Sequence, residues 1–133
     1  MRQGVIREAR SAKGGSSDSR RAGPLRVLFI CSRNRRRSPT AERIFSERTE
    51  LDVASAGLAS DAEEVVTPET LEWADVIFVM EKHHRAKLQR RFRRFLRDAR
   101  IVCLDIPDRY EFMDEALVDR IRTAVSSQIQ KSA

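Results

Sequence analysis

Apolar and polar positions along the chain change period several times, and each change marks an element. Leu25 to Cys31 is a nearly continuous apolar run, the pattern of a strand buried on both faces. Polar residues 32–38 follow, and then Pro39, which suits the first position of a helix with Ser38 as its N-cap. Ala41, Ile44 and Phe45 give that helix one apolar face. Leu51 to Ser55 reads as a second strand stopped by Gly57, and Thr67-Pro68-Glu69 opens a short helix through Trp73. Asp75 to Met80 is a third strand. Residues 82–98 predict a helix with Leu88, Phe92, Phe95 and Leu96 on one side and Arg90, Arg93, Arg94 and Arg97 on another. Ile101 to Leu104 is a fourth strand, and Leu117, Ile121, Ala124 and Val125 stripe a last helix. Strands alternating with helices predict an α/β fold, an open parallel four-stranded sheet flanked by helices. Ligands in such sheets bind at the carboxyl ends of the strands, which directs attention to the loop that Cys31 opens.

Composition adds a boundary. Residues 1–23 hold six basic residues against two acidic ones, so most of the net +6 lies there and residues 24–133 carry +2. This stretch is polar, Gly/Ser-rich and without periodicity, and is expected to be a disordered basic extension before one domain over 24–133. The basic balance is then a property of the tail and argues for no nucleic-acid partner of the domain. No apolar run is long enough to span a bilayer, and no secretory h-region follows the basic start. Two cysteines, Cys31 and Cys103, make no disulfide framework, which fits a reducing, cytoplasmic setting.

The chemistry gathers in Cys31-Ser32-Arg33-Asn34-Arg35-Arg36-Arg37-Ser38-Pro39-Thr40. Arg37 stands six positions after Cys31. A strand-to-helix loop of that size can turn successive N–H groups inward as an anion nest, and the helix N-terminus adds its positive end. The same field favours thiolate over thiol at Cys31. Arg37 can grip two phosphoryl oxygens with its planar fork. With arginine so abundant in the chain, spacing alone is weak; the buried strand, polar loop and Ser-Pro helix start in register supply the specificity.

Val-Leu-Phe-Ile-Cys followed by five residues and Arg-Ser-Pro resembles the low-molecular-weight tyrosine phosphatases, and the resemblance runs from about Leu25 to about Val125. It implies Cys31 as nucleophile, Arg37 as phosphate clamp, Asn34 in a left-handed conformation, and Ser38 donating to the thiolate. It makes Ser32, Arg33, Asn34, Arg35, Arg36, Ser38 and Tyr110 the substrate-binding set. Ser55-Ala56-Gly57 matches the family's Ser-Ala-Gly, with Ser55 bracing the asparagine. In Asp105-Ile106-Pro107-Asp108-Arg109-Tyr110, Asp108 aligns with the general acid and Tyr110 with the aromatic wall, while Asp105 is an alternative acid. The match is nearest a short bacterial branch, since the stretch from Gly57 to Asp75 is brief. Arg33, Arg36 and Arg109 replace the usual loop glycine, second loop cysteine and proline. The implied activity is hydrolysis of phosphotyrosine proteins or small aryl phosphates, without metal or cofactor and without a membrane.

Plainer readings exist for several of these residues. Cys103 reads as core packing within a strand, and the arginines of 90–97 as a solvated face or a dock for an acidic partner or RNA. His83 and His84, being adjacent, are expected on different sides of a helix at the surface, and Glu81 either as a helix start or as a support of the site. A non-catalytic phosphate- or RNA-binding module would keep the arginines but need no cysteine with an aspartate. Arsenate reduction, on a related loop, would need further cysteines for a disulfide relay.

Overall fold

The computed structural model describes residues 23–96 and 99–132. The expected extension therefore lies outside the described residues, apart from Gly23, as do Arg97 and Asp98. Strands β1 (Leu25–Cys31), β2 (Leu51–Gly57), β3 (Val76–Val79) and β4 (Arg100–Cys103) form one sheet in the order β2-β1-β3-β4. Every pairing is parallel. Helices α1 (Arg37–Phe45), α2 (Pro68–Trp73), α3 (Lys82–Phe92) and α4 (Glu115–Ser132) connect and cover it.

The alternation of β1 decides what lies on each face. Val27, Phe29 and Cys31 point to one side, where they meet Ala41, Ile44 and Phe45 of α1 and Leu117, Ile121 and Val125 of α4. Leu28 and Ile30 point to the other and meet Leu71 and Trp73 of α2 and Leu88 of α3. Phe29 stacks between Phe45 and Phe78, with ring centroids 5.9 and 5.5 Å away. Truncating so central a ring to alanine costs about 3–5 kcal/mol. Because β1 sends the chain to β2 on one side and β3 lies on the other, the strand order reverses at β1, and the crevice expected there opens beyond Cys31 and Met80.

Two boundaries differ from the sequence reading. The helix expected over 82–98 stops at Phe92 and tightens into a 3₁₀ turn, Arg93–Phe95. Phe92, Phe95 and Leu96, spaced i, i+3 and i+4, still pack against the same core through this turn. Helix α1 begins at Arg37 rather than Pro39, so Ser38 is not its N-cap. Its hydroxyl has a different partner, and Pro39 remains within the first turn, where its missing N–H costs nothing.

Candidate active site

Residues 31–37 wrap a cleft of about 510 Å³ lined by Cys31, Ser32, Arg33, Arg35, Arg36, Arg37, Leu58, Ala59, His84, Lys87 and Asp108. The shape of the loop follows from where its carbonyls go. Those of Cys31, Ser32 and Arg33 accept from the amides of Leu58, Ala59 and Glu63 at 3.0, 2.8 and 3.0 Å. In a trans peptide the next N–H points the opposite way. The amides of Ser32, Arg33 and Asn34 therefore turn away from the 58–63 segment, and that of Asn34 donates to Cys31 Sγ at 3.2 Å. Asn34 achieves this with a φ of 58°, a left-handed conformation that asparagine tolerates. Gly57 permits the close approach: a Cβ there would stand 2.5 Å from the Ser32 carbonyl oxygen and 2.6 Å from Ala62 Cβ.

Below the loop a buried hydrogen-bond chain has a definite direction. Ser55 Oγ donates its one proton to Glu42 Oε1 at 2.5 Å, so it must accept from Asn34 Nδ2 at 2.9 Å. Asn34 Nδ2 also donates to Ser38 Oγ at 2.9 Å. That leaves the Ser38 proton for Cys31 Sγ, 3.0 Å away. The sulfur thus receives donors from a backbone amide and a hydroxyl. Asn34 and Ser38, expected to touch substrate, are buried beneath the loop and do not line the cleft. Their partners are sulfur and side chains, so they hold the loop rather than a ligand.

Arg37 is fixed from behind. Its Nη1 donates to Glu81 Oε1 at 2.9 Å and to the Ile106 carbonyl at 2.8 Å. Both bonds use Nη1, which leaves the Nε–Nη2 edge toward the cleft, with Asp108 Oδ1 3.7 Å from Nε. Burial would raise the Glu81 carboxyl, but hydrogen bonds from Arg37 and His83 and their charges outweigh it and hold the group below its usual value.

Of the two candidate acids, Asp108 lines the cleft and is largely exposed. Asp105 adopts a φ of 57°, and its carboxylate lies 3.7 Å from Cys103 Sγ. Its carbonyl accepts from Arg120 at 3.0 Å. This left-handed turn carries the chain from β4 back toward the site, so that the Ile106 amide reaches the Met80 carbonyl and Asp108 faces Arg37.

Tyr110 does not form the expected wall. Its ring packs against the α1/α4 core, its hydroxyl accepts from Arg120 Nη1 at 3.1 Å, and it is not among the cleft-lining residues. The hydrogen bond from Arg120 holds its phenol below the ordinary value. Of the remaining loop arginines, Arg33, Arg35 and Arg36 stand at the rim, loosely paired with Asp61, Glu63 and Glu111 at 3.9, 3.6 and 3.8 Å.

His84, expected at the surface, is buried. Its Nδ1 accepts from the Glu81 amide at 3.0 Å and its Nε2 meets Ser32 Oγ at 3.0 Å. Adjacent residues share this site because His84, third in α3, folds back over the helix start, bringing its ring centroid within 4.2 Å of that of His83. Glu81, His83 and His84 bring ligand-capable atoms within 4.8 Å of one another, but Glu81 already binds Arg37 and both His84 nitrogens have partners. The sequence carried one signal for His84, the three-residue spacing from Glu81 of a helix-capping pair.

The structure thus sets a cysteine at the centre of an inward-turned loop of a parallel α/β sheet, with an arginine at the following helix start and an aspartate opposite. Residues 26–75 match the family described as low molecular weight phosphotyrosine protein phosphatase. That match spans 50 of the chain's 133 residues. A search of curated protein sequences finds no match. Among solved structures, Wzb from Vibrio vulnificus in complex with benzylphosphonate is similar with a TM-score of 0.66 and 24% identity, covering 82% of this chain and 99% of that one. The YwlE arginine phosphatase from Geobacillus stearothermophilus gives 0.65 and 20%, covering 82% and 95%. A thioredoxin-dependent arsenate reductase from Corynebacterium glutamicum gives 0.67 and 18%, covering 98% and 72%. At these identities the likeness is one of fold.

Proposed function

We propose that this protein is a phosphatase that hydrolyses phosphotyrosine in proteins, and small aryl phosphates, through a phosphocysteine intermediate. The observation that carries the reading is Cys31 Sγ at the floor of a cationic cleft, receiving the Asn34 amide and the Ser38 hydroxyl. The thiolate attacks phosphorus while the bond to the ester oxygen breaks, and Asp108 gives its proton to the leaving oxygen. Water then attacks the phosphocysteine, Asp108 takes its proton, the S–P bond breaks, and phosphate leaves with the thiolate restored. Loop amides and Arg37 hold the equatorial oxygens, where charge is carried throughout.

Arsenate reduction fits less well. The second cysteine, Cys103, sits on β4, and burial followed by the charge of Asp105 pushes its thiol up, against what a relay nucleophile requires. No helix among the described residues is long and apolar enough to cross a membrane, and a thiolate nucleophile suits a reducing compartment such as the cytoplasm.

Purified protein assayed on an aryl phosphate and a phosphotyrosine peptide tests the reading. Wild type should turn both over, and Cys31→Ser should lose turnover yet still bind vanadate, since the nest and Arg37 remain. Hydrolysis undiminished in Cys31→Ser would remove Cys31 from the chemistry.

A further inference from the structure

Each nitrogen of His84 has a partner, and one of the two fixes the proton. The Glu81 backbone N–H can donate but not accept, so Nδ1 must be the bare nitrogen. The ring proton is then on Nε2, which donates to Ser32 Oγ at 3.0 Å. A hydroxyl accepting there keeps its own proton for another acceptor. Ser32 follows the nucleophile and lines the cleft together with His84. From these contacts we infer that His84, as a neutral imidazole, is a positioning residue that commits the Ser32 hydroxyl to donate to the anion held above Cys31. This deepens the phosphatase reading and rests on it.

The start of α3 consequently grips both ends of the phosphate loop. Glu81 holds Arg37, where the loop enters α1, and His84 holds Ser32, where it leaves β1. A protonated ring would need a second acceptor at Nδ1, where the Glu81 amide stands. The charged groups facing the ring are His83 and Lys87 on α3, Glu81 at its start, and Arg37 from α1. Burial, followed by the charges of His83 and Arg37, lowers His84 to about 4, so the neutral form prevails at neutral pH.

Four proteins decide the matter: wild type, Ser32→Ala, His84→Asn and the double variant. Asparagine at 84 keeps an acceptor oxygen near the place of Nδ1 but is too short to reach Ser32, so it separates the loop contact from the helix cap. Vanadate affinity and kcat/KM should fall roughly tenfold in each single variant, the worth of one hydrogen bond to a charged group. The double variant should fall no further than either, because both changes remove the same donation. His84→Gln, whose amide nitrogen reaches as far as Nε2, should recover much of the loss. His84→Asn with wild-type affinity, or losses that multiply in the double variant, would overturn the inference. Should His84→Asn not fold, Ser32→Ala and the His84 tautomer by nitrogen NMR carry the test. Undiminished affinity in Ser32→Ala, or a ring protonated at Nδ1, overturns it. Vanadate binding keeps this test separate from the phosphatase reading, which instead stands or falls on wild-type turnover.

Discussion

Arg37 and Arg36 are neighbours in sequence and opposites in setting. The Arg37 side chain is 2% exposed and meets Glu81 at 2.9 Å, whereas that of Arg36 is 50% exposed and stands 3.8 Å from Glu111. The same contrast separates the floor of the cleft from its rim. Asn34, Ser38, Ser55 and Glu42 on the floor are buried, and their hydrogen bonds run outward from the Asn34 amide in two arms, one to the sulfur and one to Glu42. Arg33, Arg35 and Arg36 at the rim form exposed pairs, of a kind worth about 0–1 kcal/mol each. Burial makes the floor geometrically exact and costly to disturb; exposure leaves the rim free to exchange one carboxylate for another. Under the proposed function, the chemistry resides in the floor, and the rim acts on which substrates arrive.

Arg37→Lys should break the floor most severely after loss of the nucleophile. A shorter ammonium lacks the planar fork that bonds Glu81 and the Ile106 carbonyl through Nη1 while offering its Nε–Nη2 edge to two phosphoryl oxygens, and kcat should fall by about 10²-fold or more on every substrate. Activity within a few-fold of wild type would transfer the clamp to a rim arginine. Asp108→Ala should lower phosphotyrosine hydrolysis by about 10²–10⁴-fold and activated aryl esters much less, since those leave without a proton. The same leaving-group pattern from Asp105→Ala would exchange the two roles.

A smaller effect is expected where the floor depends on backbone packing. Gly57→Ala drives a Cβ into the Ser32 carbonyl and Ala62. It should lower the melting temperature and weaken vanadate binding together; unchanged binding would show that the 58–63 segment does not shape the nest. Acid should act on the floor through His84. Its folded value of about 4 lies below the ordinary 6.5, so the folded state binds fewer protons between the two. The resulting stability is complete above 6.5 and lost as pH falls through 4. Melting temperature should decline across that window, less steeply in His84→Asn, and an identical slope in both would assign the decline to other groups. At the rim, Arg35→Ala should change activity on a small aryl phosphate at most a few-fold, with any effect on acidic phosphopeptides fading in salt.

This division also explains what the sequence disclosed. The apolar run of β1, the alternation of strands with helices and the Cys31–Arg37 spacing are local patterns, and they led to the sheet and to the loop at its switch point. Asn34 and Ser55 were paired by resemblance, but the carboxylate of Glu42 beneath them was not foreseen, because nothing local distinguishes a buried glutamate on α1 from a solvated one. His84 was misjudged on a rule for adjacent helical residues, which does not hold in a first turn where the side chain folds back to the preceding amide. Tyr110 was placed at the wall by alignment with an aspartate two residues away; the path between them instead carries its ring to Arg120 and the core. Contacts that span many residues, such as Arg37 with Ile106, were legible only in three dimensions.

The central claim is that phosphorus passes through Cys31, and trapping it there is the most direct test. Asp108→Ala should slow breakdown of the intermediate as well as its formation. Mixing that variant with an activated aryl phosphate, quenching in acid and mapping peptides by mass spectrometry should show one added phosphoryl group on the peptide containing Cys31, absent from the same experiment with Cys31→Ser. Turnover by the wild type with no label on that peptide, at the shortest quench times and in an Asp108 variant that still releases aryl alcohol in a burst, would contradict the account.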